Sequence, residues 1–106
     1  MARRDNLPAG LLDDVKNHLG ITWTDNATDT RIAGLIGSGM VYIDSKYGGD
    51  ADYVEDGFPR TLLMEYVRYA RDAALDIFEN NYTALILAMQ HERQVERLEE
   101  LQIPEP

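Results

Sequence analysis

A chain of 106 residues has room for one domain with a modest core, and its 44% apolar content is that of a folded chain. The lack of cysteine removes disulfide scaffolds, thiolate zinc sites and cysteine nucleophiles, and fits a reducing compartment. With 19 acidic against 10 basic side chains the formal charge is -9; only Arg3 and Arg4 adjoin, so general phosphate-backbone binding is disfavoured.

In chain order, Met1 to Asn6 carries no apolar signal core, and no apolar run approaches the roughly 20 residues of a membrane span. The expectation is a protein kept in the cell that makes it, or packaged from there. Leu11, Leu12, Val15 and Leu19 share one helical face, which predicts a helix over 8–19 with Pro8 in its first turn and Gly20 as its stop. Thr24 or Asp25 is placed to cap a second helix by accepting a free backbone N–H. Its stripe is Ile32, Leu35, Ile36, Met40, Ile43 and Tyr47, and it ends near Gly48–Gly49. Gly34, Gly37 and Gly39 inside it each cost roughly 1 kcal/mol relative to Ala. Close approach of another helix, from this chain or a second copy, is the simplest compensation.

Asp50 to Pro59 reads as an acidic loop. Leu62, Leu63, Tyr66, Val67, Ala70, Ala73, Ala74, Ile77 and Phe78 form a broad helical face, interrupted by Asn80–Asn81. Tyr82, Leu85, Ile86 and Met89 restart helical spacing in a shifted phase. The helix either continues, bent, to about residue 100, or stops and leaves 84–89 as a short separate element. The good helix formers from Gln90 to Gln102 favour continuation. The expected fold is all-α: one domain over 1–106, a bundle of three to four helices with a long third helix. Its core covers 7–90 and an extended C-terminal segment covers 91–106.

No constellation for catalysis emerges. His18 and His91 lack local metal-ligand spacing, and His18 suits a helix C-terminus. Asp13–Asp14 and the acids of 50–56 read as dipole complement and solvated loop; the loop lacks the calcium-binding pattern. Gly34 to Gly39 is not a phosphate loop, because no Lys-Ser/Thr follows and no strand precedes. Ser38 and Ser45 have no nucleophile elbow. An enzyme would require two or more of Asp50, Asp52, Asp56 and His91 to converge in a pocket. No cofactor and no metal is expected. The six tyrosines and Trp23 are either core rims or interface anchors. Val95, Leu98 and Leu101 make an apolar line too thin to hold a lone helix, so it should lie on a surface of its own domain or a neighbour.

The stretch Leu11 to Ile21, with Val15-Lys16 followed by Leu19 and Ile21, resembles the opening helix of phage head–tail connector (adaptor) proteins. Tyr42-Ile43-Asp44-Ser45-Lys46-Tyr47-Gly48 resembles the end of that family's second helix. Tyr66, Tyr69, Ala70 and the run Asp76 to Tyr82 look like its third, in versions from phages and prophages of Gram-positive hosts. The likeness spans most of 7–90 and consists of helix faces, not catalytic signatures. It implies a virion protein of the head–tail interface, assembled in the host bacterial cytoplasm. It further implies a homo-oligomeric ring, commonly of twelve copies, between portal protein and stopper or tail, through which DNA passes without sequence-specific binding. On that reading Gly34, Gly37, Met40 and Tyr42 are candidates for self-association, and Arg93, Arg97, Leu98, Leu101 and Ile103 for portal docking. The competing reading is a small helical regulatory module that binds a partner protein, as antitoxins do.

Overall fold

The computed structural model describes residues 6–101, in which four helices follow one another: α1 (Leu11–His18), α2 (Asn26–Tyr47), α3 (Phe58–Arg71) and α4 (Leu75–Leu101). The all-α expectation holds. None of these helices is long and apolar enough to cross a membrane.

Local chemistry sets most of the helix ends. The helical turns of α1 begin later than Pro8, at Leu11, after Gly10 in the left-handed region (φ 83°). Gly20 (φ 77°) closes α1: its N–H reaches the Asn17 carbonyl, and the Ile21 N–H reaches Lys16 at 2.9 Å. Asp25 caps α2, accepting from the Thr28 N–H at 3.0 Å and the Thr28 hydroxyl at 2.7 Å. Those bonds hold the Asp25 carboxyl below its ordinary pKa, the hydroxyl contributing most. Gly48 (φ 87°) closes α2.

One boundary falls elsewhere than expected. The chain turns at Asp72–Ala74, not at Asn80–Asn81, so the long helix is the fourth, not the third. Ala73 takes a left-handed conformation (φ 56°), while Ala73 and Ala74 N–H groups bond back to the Ala70 and Tyr69 carbonyls. This is the glycine-type helix stop built on an alanine, at a cost of roughly 1–2 kcal/mol. Asn80 and Asn81 lie exposed within α4, and Asn81 Nδ2 donates to the Tyr69 hydroxyl at 3.0 Å.

The core joins two regions. Leu11, Val15, Ile21, Ile32, Ile36, Met40, Ile43, Leu62, Leu63 and Val67 fill the space among α1, α2 and α3. A second region centres on Phe78 of α4, whose ring meets Tyr42, Tyr66, Tyr69 and Tyr82 at 5.0–6.1 Å between centroids. The glycine compensation lies within the chain. A Cβ at Gly39 would stand 2.8 Å from both Leu63 Cδ1 and Tyr66 Cδ1, so the missing side chain is what lets α3 close on α2. A Cβ at Gly34 would meet nothing within 4 Å, so no neighbouring helix exploits that glycine.

The loop between α2 and α3 is tied down despite its acidity. Tyr53 is buried and donates to Asp44 Oδ1 at 2.6 Å, and the Ala51 N–H donates to the same oxygen at 3.0 Å. Arg60 Nη1 donates to the Tyr53 carbonyl, and Nη2 to Asp14. The radius of gyration is 15.3 Å, against about 13 Å for a compact chain of this length.

Candidate protein-docking surface

α4 begins inside the bundle and ends outside it. Phe78, Ile86 and Met89 are buried. From Glu92 to Leu101 no residue is buried, and Val95, Leu98 and Leu101 are 40%, 51% and 77% exposed. The last anchors to the bundle come from the end of α2. Gln90 Nε2 donates to the Lys46 carbonyl at 3.0 Å, and the Arg93 guanidinium lies over the Tyr47 ring at 4.7 Å. Arg93 Nε is shielded from water without an acceptor among the described residues.

Between α2 and this part of α4 runs a groove of about 410 Å³, lined by Lys46, Tyr47, Gln90, Arg93, Gln94, Arg97, Leu98 and Leu101. In a chain of charge -9 it holds three basic side chains and no acid. On the other flank of α4 lies a smaller cleft of about 170 Å³, whose acids are Asp52, Glu55, Asp56, Glu92 and Glu96. Two of the acids named for the enzyme reading, Asp52 and Asp56, do meet there. They meet exposed and without a histidine or serine beside them; Asp52 caps the Val54 and Glu55 N–H groups, and Asp56 is 3.9 Å from Arg60. Among the described residues no group of three His, Cys, Asp or Glu side chains is placed to hold a metal ion.

A polar hub at the α1–α3–α4 junction carried no signal in the sequence. Glu65 accepts from Arg68 Nη2 at 2.6 Å and from the Tyr82 hydroxyl at 2.6 Å, with His18 Nε2 at 2.9 Å. The Arg68 bond foremost, then those from Tyr82 and His18, draw the Glu65 carboxyl down to about 2. The Glu65 bond and burial push the Tyr82 phenol up to about 12. Burial first, then the bond to Glu79 at 2.5 Å, raises the Tyr42 phenol as well. A carboxylate with its oxygens so engaged is locked in its ionised form and clamps three helices together. His18 does end α1, as its position suggested, and its partner is this carboxylate.

The residues named from sequence divide accordingly. Arg93, Arg97, Leu98 and Leu101 come together in the groove. Ile103 lies outside the described residues. Gly34 is exposed, but Gly37 is buried, Met40 is in the core of its own chain, and Tyr42 packs on Tyr66 and Phe78. Those four do not form one free surface. Of the two residues that complete the groove, Tyr47 was legible only as one of six tyrosines that are core rims or interface anchors, and Lys46 carried no sequence signal beyond ending α2. Comparison with protein-family models, curated proteins and solved structures found no match.

Proposed function

We propose that this chain is a protein-docking module that works through the distal part of α4, and that its specific role is as a neck subunit joining phage head to tail. The observation that carries the docking reading is the departure of α4 from its bundle with Val95, Leu98 and Leu101 uncovered. An apolar edge beside a groove with stacked Arg and Tyr is the composition of an interface centre. That much serves equally a regulatory module that caps a partner protein. The neck assignment rests in addition on the resemblance of residues 7–90 to head–tail connectors. It suits the acidic excess, since a conduit for DNA benefits from walls that do not hold phosphates.

The test is Leu98→Asp with Leu101→Asp. Both side chains are exposed, so circular dichroism and melting temperature should stay within about 0.5 kcal/mol of the parent. Capture by a phage portal protein should be lost. Portal binding that survives the double substitution would refute the surface. Parent protein that ignores the portal but caps the product of a gene beside its own would favour the regulatory reading.

A further inference from the structure

The groove beside distal α4 continues back along the bundle. It adjoins a second hollow of about 200 Å³, where Thr83, Ile86 and the 58%-exposed Leu87 come to the surface, and the two share Lys46 and Gln90. From Thr83 to Leu101, the α4 side chains that line both fall within one arc of about 140°, at about 100° per residue. The two hollows therefore form one straight trough, about 27 Å long between those residues. Arg93 and Arg97 stand toward one edge of the arc, and Leu87, Leu98 and Leu101 toward the other. Glu92, Glu96, Glu99 and Glu100 all fall outside it, beyond the Arg93 edge. The trough holds one acid among its described residues, Glu79, which is already engaged by Lys46 Nζ at 3.1 Å and by the Tyr42 hydroxyl. No carboxylate meets Arg93 or Arg97 among the described residues.

We infer that the occupant of this trough is a single acidic, amphipathic helix of an unlike protein, laid along α4. Charge complementarity sets its sign: two arginines without a carboxylate line a trough in a chain of charge -9. The leucine edge sets its second requirement, an apolar stripe beside the acids. A phosphate backbone would leave that stripe uncovered. The walls are helices, so an extended segment would find no strand edge to bond, whereas a helix satisfies its own backbone. Arg93 and Arg97, four residues apart, lie about 6 Å apart along the axis, which matches carboxylates four residues apart on the incoming helix. The inference rests on the reading of distal α4 as a docking surface. It extends that surface to Leu87, inside the bundle half of α4, and specifies the chemistry of what binds.

The probe is a fluorescein-labelled helical peptide of about 18 residues, with leucines three and four apart and glutamates in the adjacent column, read by anisotropy on the full chain. The parent should bind it with a Kd on the order of 10 μM at about 0.05 M salt, and more weakly at about 0.5 M. Arg93→Glu with Arg97→Glu should weaken binding by about tenfold or more, and should prefer the same peptide with Lys in place of Glu. Leu87→Asp should weaken it by a similar factor, both variants keeping the parent's circular dichroism. Arg31→Glu, an exposed cation near the other end of α2, controls for net charge and should change binding by less than about twofold. A parent that binds none of the peptides, or binds the acidic, Lys-bearing and scrambled forms alike, would overturn the inference. So would a single-stranded DNA of about 20 nucleotides that displaces the acidic peptide, which would assign the trough to phosphate. Parent pairs in sedimentation velocity that Leu87→Asp separates would assign it to a second copy and overturn it as well. Portal capture that needs Leu98 and Leu101 but survives both Leu87→Asp and Arg93→Glu/Arg97→Glu would leave the docking reading standing and this one refuted.

Discussion

The two halves of α4 share a helix and differ in what holds it. Residues 75–90 lie against α2 and α3 through Phe78, Ile86, Met89 and the tyrosines around Phe78. Residues 91–101 follow the same backbone geometry with no buried residue among them, and the Arg93–Tyr47 stack ties them to the end of α2. Helix propensity and the continuity of a formed helix carry the distal turns, because extension of a helix costs far less than its nucleation. The bundle thus serves as a nucleus from which an uncovered, patterned helix end is presented.

That contrast can be broken by substitution. Phe78→Ala should cost about 3–5 kcal/mol, because it opens a cavity among four tyrosine rings. Chemical denaturation would record it, whereas Leu98→Asp/Leu101→Asp on the same helix should hardly register. Equal losses from the two would mean that the distal turns belong to the core.

The Glu65 hub gives the bundle a pH dependence. With its folded pKa near 2, below the ordinary glutamate value, Glu65 contributes stability that is complete above about pH 4.5 and disappears as pH falls toward 2. With solvent screening the contribution is on the order of 2 kcal/mol. Melts of the parent and Glu65→Gln should differ at pH 7 and converge between pH 4.5 and 2. A constant gap across that range would exclude the hub as its source.

The smallest effect separates two glycines on one helix. Gly39→Ala places a methyl against Leu63 and Tyr66 and should cost about 1–3 kcal/mol, less the gain in helix propensity. Gly34→Ala, with open space around it, should instead stabilise by up to about 1 kcal/mol. Thermal melts of the two variants should shift in opposite directions.

Much of the fold could be read locally. Asp25, Gly20 and Gly48 act through bonds to groups within five residues, so a cap or stop is visible in a short window. The turn at Ala73 left no such mark, because alanine there is an exception to the chemistry that normally signals a helix end. Asn80–Asn81 misled for the converse reason: weak helix formers are tolerated where packing on both sides already holds the helix. At the candidate surface, Arg97, Leu98 and Leu101 were legible from an apolar line too thin to be self-sufficient. That Lys46 and Tyr47 meet distal α4 was not, since they come to it from 44 or more residues away.

The amino-acid sequence by itself determined that this protein is helical and where its first two helices stop. Periodicity and capping are interactions among near neighbours, and composition records them. Only the tertiary structure decided which glycine admits a neighbouring helix, which carboxylate clamps three helices, and which side chains share a groove. Those outcomes depend on distances between elements far apart in the chain, and no local pattern encodes such distances.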